Sequence, residues 1–324
     1  MPPPDGRGAQ SPVHDLIRRQ LDGLGHRDDA DVARLLAEIE RRYGARIAAV
    51  LLYGSYLRGK RDTLLDFYVL LTDLRGALPP VQAWGNHWLP PNVYYLSLPA
   101  LESGQALRAK YATMTLAQFE AAMSRFHSYF WSRFTQPTGL ARARDEDNAQ
   151  RVAAAMVSGL HTLADEVAPL LHPGSSGTRF SSRDFWQRAL SLTYGCELRS
   201  EAPEKITSLY EHHTRHFDEL LAVYAGEPEA AIAPAGGGRY TVRPSAPPRR
   251  AARRWSLRRL QGKTLSVLRL IKAATTFDDP LDYLLWKIER HSGIYLAPTE
   301  RQRRHPLIFA WPLLWRLYRR GAFR

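Results

Sequence analysis

The chain has 324 residues, 44% of them hydrophobic, and a net charge of +13. It is long enough for two domains with a large core. Its single cysteine, Cys196, excludes an internal disulfide and a cysteine-based zinc site, and reads as a small buried residue. No window reaches the ~18 uninterrupted apolar residues of a spanning helix. The start, MPPPDGRGAQSP, lacks the apolar run of a signal peptide, so a cytoplasmic location is expected. The charge is unevenly placed. Arg239 to Arg324 hold twenty Lys and Arg against five Asp and Glu, which leaves the rest close to neutral. Such a block seeks an anionic surface, with a lipid headgroup layer expected ahead of nucleic acid.

In chain order, residues 1–28 are Pro-, Gly- and polar-rich and read as a mobile tail. Val32, Leu35, Leu36, Ile39 and Tyr43 recur at helical spacing behind a capping Asp31. Ile47 to Tyr53 and Leu64 to Leu71 read as buried strands, and Asn92 to Leu98 as a third. Pro79-Pro80 reads as a break. From Leu116 to about Tyr224 the period becomes helical. The expected organisation is therefore an α/β domain with a small mixed sheet backed by helices at 29–115 and a mainly helical domain at 116–225. A linker rich in Pro, Gly and Arg follows at 226–254, then a basic amphipathic segment at 255–324. Leu265, Leu268 and Ile271, then Leu281, Leu284, Leu285 and Ile288, suggest two helices there. Trp311, Trp315 and Tyr318 beside Arg316, Arg319 and Arg320 suit an interfacial anchor.

The segment Leu51 to Leu71, LLYGSYLRGKRDTLLDFYVLL, carries the chemistry. An apolar run ends in Tyr53-Gly54-Ser55, and a second opens with Leu65-Asp66-Phe67. Strand, Gly-Ser turn, then a strand bearing an acid is the layout of a polymerase-β-type nucleotidyltransferase site. Gly54 lets backbone approach a phosphate, and Ser55 with neighbouring N–H groups can hold a triphosphate. Asp66 can present a hard oxygen to a divalent cation beside those phosphates. The wider superfamily has a second acid two residues on, where this chain has Tyr68. Taken alone, this pattern leaves the acceptor open: an RNA end, a protein hydroxyl, a small molecule or a lipid. It also leaves open an inactive nucleotide-binding protein. The histidines fit no zinc spacing, and His212, His213 and His216 are expected on an exposed helix face.

Several blocks in order resemble the mitochondrial-type phosphatidate cytidylyltransferases, the CDP-diacylglycerol synthases of the translocator assembly and maintenance family, and their bacterial relatives. They are Tyr53-Gly54-Ser55, Leu65-Asp66-Phe67, Asn92 to Tyr95, Lys110-Tyr111-Ala112, Tyr129 to Arg133 with Pro137, Thr193-Tyr194 through Glu197 and Arg199, and Glu201 to Lys205. The resemblance covers roughly residues 45–225. Gln136 stands where the family has Lys, Ala112 and Ser132 replace glycines, and Glu197 replaces Asp. That family also lacks the second acid on the Asp66 strand.

The resemblance implies a Mg²⁺-dependent reaction of CTP with phosphatidate, giving CDP-diacylglycerol and pyrophosphate, on the inner face of the cell membrane. It assigns Gly54 and Ser55 to the triphosphate and Asp66 to the metal. Lys110, Arg133, Arg199 and Lys205 become candidate phosphate contacts, and Glu197 a residue that orients one of them. Asp62, Asp73 and Glu102 are open as a second metal ligand. The basic C-terminal segment would hold the protein against anionic lipid.

Overall fold

The computed structural model describes residues 11–26, 28–59, 64–99, 106–126, 130–171, 179–197, 203–243, 247–273, 296–304 and 311–319. Its centre is a mixed five-stranded sheet built from β1 (Ile47–Tyr53), β2 (Leu65–Leu71), β3 (Asn92–Leu98), β4 (Leu107–Thr115) and β5 (Thr138–Ala143). The strand order is β3-β4-β2-β1-β5. β1 runs antiparallel to β2 and β5, β3 antiparallel to β4, and β2 parallel to β4. This mixed α/β architecture is compatible with a nucleotidyltransferase-like fold.

The first two of the three strands read from sequence pair directly, Tyr53 opposite Asp66 and Leu52 opposite Phe67. Alternation then sends side chains to two different cores. Val50, Leu52, Phe67, Val69 and Tyr111 pack with Val32, Leu35 and Ile39 of α2 (Ala30–Tyr43). Ala49, Leu51, Tyr68, Leu70, Ala112 and Met114 face the other way. They join α4 (Leu116–Met123), the four-residue α5 (Phe130–Arg133) and α6 (Glu146–Val167). The same core continues through α7 (Ser182–Tyr194) and α9 (Thr214–Ala225), so no break in packing falls at residue 115. Between α7 and α9, α8 (Pro203–His212) adds Ile206 and Tyr210 to it.

Several segments differ from expectation. The expected mobile tail contains α1 (Pro12–Gly23), which buries Val13, Leu16, Ile17 and Leu21. Ser11 caps it and Pro12 occupies its first turn, so the residues that read as disorder are a helix start. Asp29, not Asp31, caps α2, accepting from the N–H groups of Asp31 and Val32. Pro80 opens α3 (Pro80–Trp88) instead of breaking the chain. The expected linker holds the hairpin β7 (Ile232–Gly236) and β8 (Arg239–Val242), which with β6 (Phe180–Ser181) forms a second sheet. Its Gly236-Gly237-Gly238 run supplies the positive φ angles (80°, 60°, 68°) of the turn, and Ile232 is fully buried.

The linker also leads into α10 (Pro248–Ala273), which packs on the body through Ala251 and Trp255. Trp255, in the segment expected to meet lipid, instead donates its indole N–H to the Glu166 carbonyl and packs on Phe126 and Trp131. At Gly262 a Cβ would lie 2.3 Å from the Cys196 carbonyl, so the missing side chain is what lets α10 close on the end of α7. Two short helices follow, α11 (Glu300–Arg304) and α12 (Trp311–Arg319), with Trp315, Arg316 and Arg319 exposed. The helix expected around 281–288 lies outside the described residues, as do the side chains of Trp311 and Tyr318.

Candidate active site

The end of β1 turns at Gly54, whose φ of 91° and ψ of −152° suit only glycine. A Cβ there would sit 2.8 Å from Asp66 Oδ2. The glycine is therefore needed twice, for the backbone turn and for the carboxylate beside it. Ser55 begins a single 3-10 turn ending at Arg58, and Gly59 closes it in a left-handed conformation. Tyr56 pins this turn to the body by donating its hydroxyl to Asp29 at 2.6 Å.

Asp66 stands on the β2 face that looks toward the helices, flanked in register by Tyr53 of β1 and Lys110 of β4. Lys110 Nζ lies 3.3 Å from Asp66 Oδ1. That contact is an ion pair; Oδ1 is buried and makes no hydrogen bond. A hard cation would find a fitting oxygen donor here, because magnesium is commonly held by one or two carboxylates plus phosphate oxygens. Among the described residues, no three His, Cys, Asp or Glu side chains group together as a metal cage.

Tyr68, at the position of the superfamily's second acid, is 3% exposed and packs against Tyr53, Phe130 and Phe134. It belongs to the core and could not be replaced by a carboxylate without burying a charge. Asp73 lies past the far end of β2, roughly 20 Å from Asp66 at strand rise, and is no partner for it. Asp62 and Glu102 lie outside the described residues.

Arg133, at the end of α5, extends the site. Its guanidinium lies 5.8 Å from the centre of the Tyr53 ring and 3.5 Å from Glu197 Oε1. Both members of this pair are about a third exposed, at 31% and 33%, so it lines an open edge. Gly54, Ser55, Asp66, Lys110 and Arg133 thus converge, although they come from four separate elements. Gln136 accepts from Tyr194 at 3.5 Å and donates to the Ser132 carbonyl. Lys205 is exposed on the first turn of α8, which packs chiefly on α7, and Arg199 lies outside the described residues.

Two groups went unrecognised in the sequence. The first is the His213/His216 pair at the start of α9, expected on an exposed face but half-buried. His216 donates its Nε2–H to the Thr135 carbonyl at 3.0 Å. Burial pushes His216 down to about 4. Burial, then the neighbouring His216 and Arg58, pushes His213 down to about 4 as well. Both rings are therefore neutral at pH 7. The second is Arg258 of α10, 5% exposed, whose Nε and Nη1 make no hydrogen bond. Burial lowers its pKa, while Cys196 and Glu197 favour its charge. No motif announces it, since α10 reads as a uniformly basic helix.

The fold and this cluster together give an α/β protein with a Gly-Ser turn, the Asp66 carboxylate beside it and basic groups converging on it. No protein-family model matches the chain, and neither does any curated protein sequence.

Proposed function

We propose that the protein is a peripheral membrane nucleotidyltransferase that makes CDP-diacylglycerol and pyrophosphate from CTP and phosphatidate. The observation that carries this reading is the seating of Asp66 against the Gly54 backbone with Lys110 at 3.3 Å. It supports an anion cradle and a hard-cation ligand in one place. The choice of CTP and of a lipid acceptor rests on the resemblance of residues 45–225 to the phosphatidate cytidylyltransferases.

The acceptor is a phosphate monoester, already anionic at neutral pH, so the reaction needs no strong general base. An oxygen of that phosphate attacks the CTP α-phosphorus, and the bond to the β-phosphate bridging oxygen breaks. Pyrophosphate leaves with that electron pair. Catalysis then rests on positioning and on neutralising charge. Ser55 and the N–H groups of its 3-10 turn hold the triphosphate. Lys110, drawn from Asp66 to phosphate, offsets charge at the reacting centre. Arg133 holds a second phosphate, and Glu197 orients Arg133. Asp66 would hold a magnesium ion that enters with the nucleotide, and that ion would supply Lewis-acid charge stabilisation. Arg199 and Lys205 are further candidates for the lipid phosphate. Attachment is to the inner face of the cell membrane, and no helix among the described residues is long and apolar enough to cross it.

The test is incubation of the purified chain with radiolabelled CTP, Mg²⁺ and phosphatidate in detergent micelles. The expected result is a labelled lipid that requires Mg²⁺ and vanishes in Asp66→Ala. No labelled lipid from a chain that still binds CTP would overturn the acceptor assignment. Equal product from Asp66→Ala would overturn the site.

A further inference from the structure

Two exposed apolar stripes meet at one junction. On α3, Val81, Trp84 and Trp88 share a face at helical spacing and are 78%, 70% and 70% exposed. On α10, Leu257, Leu260, Val267 and Leu268 are 70%, 70%, 42% and 46% exposed. The helices join at their C-terminal ends. Arg269 donates to the Pro90 carbonyl at 3.2 Å, and Lys272 to those of Leu89 and Pro91. The Lys272 stem crosses Gly85, between the two tryptophans, where a Cβ would be 3.5 Å from its Cδ. The helices that carry these two stripes, more than 160 positions apart in sequence, are therefore joined at one seam.

So much large apolar surface held in water marks an interaction face. Its partner is indicated by charge. α10 carries seven Arg and two Lys and no acid. Arg249, Arg250, Arg253, Arg259 and Lys263 are exposed on it. A second copy of this chain would bring the same positive charge to the same face. A nucleic acid would engage the cations and leave the leucines in water. An anionic bilayer satisfies both, with indoles and leucines at the headgroup–acyl boundary and guanidinium groups on lipid phosphates.

We propose that the α3–α10 surface docks this protein on an anionic lipid bilayer, with Trp84 and Trp88 as its inserted anchors. The proposal rests on the peripheral-membrane reading above, and moves the contact from the C-terminal segment alone to a face that includes a helix of the catalytic sheet region. It also orients the site. The inner side of α10 carries Arg258 and Gly262 against Cys196, next to Glu197 and Arg133. Docking the outer side leaves that edge about one helix diameter, ~10 Å, from the lipid surface.

The test is sedimentation of the full chain with vesicles of phosphatidylcholine, with and without phosphatidylglycerol. The wild type is expected to sediment with the anionic vesicles and to be released by salt. Trp84→Ala/Trp88→Ala, and separately Leu257→Asp/Leu260→Asp, are expected to lower the partition coefficient at least about tenfold. All four side chains are solvent-exposed, so the thermal midpoint should hold. Wild-type binding by both variants would overturn the proposal, as would a wild type that ignores anionic vesicles. A dimer seen by light scattering and dissolved by the same variants would overturn it in favour of a self-interface. Sedimentation needs no turnover. A chain that binds vesicles through these residues but makes no CDP-lipid would overturn the enzymatic reading and leave the docking face standing.

Discussion

The two faces of the central sheet are built from the same strands and do different work. Toward α2, Val50, Leu52, Phe67 and Val69 are all fully buried, and the face is closed along these positions. Toward the helices, Leu70 and Tyr68 are buried, but one step further along β2 the row opens at Asp66, with Tyr53 and Lys110 at its sides. Adjacent residues of one strand thus fall under opposite demands. Phe67 is fully buried, whereas Asp66 stands at the open end of its row with Lys110 Nζ 3.3 Å from its Oδ1. Period-two alternation separates a closed core face from that edge within a single dipeptide.

The largest expected effect tests that separation directly. Asp66→Asn keeps shape and removes the charge. Transfer from labelled CTP should fall by about 10³-fold or more, with the denaturation midpoint nearly unchanged. Phe67→Ala should do the reverse, costing about 3–5 kcal/mol in chemical denaturation while the folded fraction keeps its turnover. Two variants that behave alike would remove the distinction between the faces.

Tyr68→Asp sharpens it. The substitution recreates the acid-x-acid pattern, but on a side chain that is 3% exposed among Tyr53, Phe130 and Phe134. It should destabilise by at least about 3 kcal/mol and give no gain in magnesium-dependent turnover. A faster enzyme would mean that this end of the sheet is looser than its packing indicates.

At the open edge, Glu197→Gln leaves Arg133 without its ionised partner. A residue that orients a phosphate-binding arginine should show in KM, raised about five- to twentyfold, with kcat changed less. An unchanged KM would assign the pair to surface electrostatics alone.

The smallest effect concerns acid. His213 and His216 titrate at about 4 in the folded chain against an ordinary 6.5. Between those values the unfolded chain binds more protons. The stability held by their neutral forms is therefore complete above about pH 6.5 and lost as pH falls through 4. Thermal midpoints from pH 7.5 to 4.5 should decline less steeply in His213→Gln/His216→Gln than in the wild type. Parallel declines would place the acid sensitivity elsewhere.

Local chemistry in the sequence determined the strand–turn–strand unit. Apolar runs of strand length bracket Gly54 and Ser55, and the two runs pair with Tyr53 opposite Asp66. Elsewhere composition carries two meanings. Pro12 and Pro80 sit in helix first turns, and the glycine run at 236–238 is a tight hairpin turn. What only the tertiary structure decided is which distant residues meet at Asp66. Lys110 arrives because β2 pairs in parallel with β4, forty-odd residues away, and no local propensity sets that register. Arg133 reaches the Tyr53 ring because α5 is fixed by Phe130 and Trp131 in the shared core. The C-terminal ends of α3 and α10 are brought together where Lys272 and Arg269 close on the Leu89–Pro91 carbonyls. A sequence states short-range geometry directly, whereas the meeting of remote segments depends on which apolar faces must be buried together.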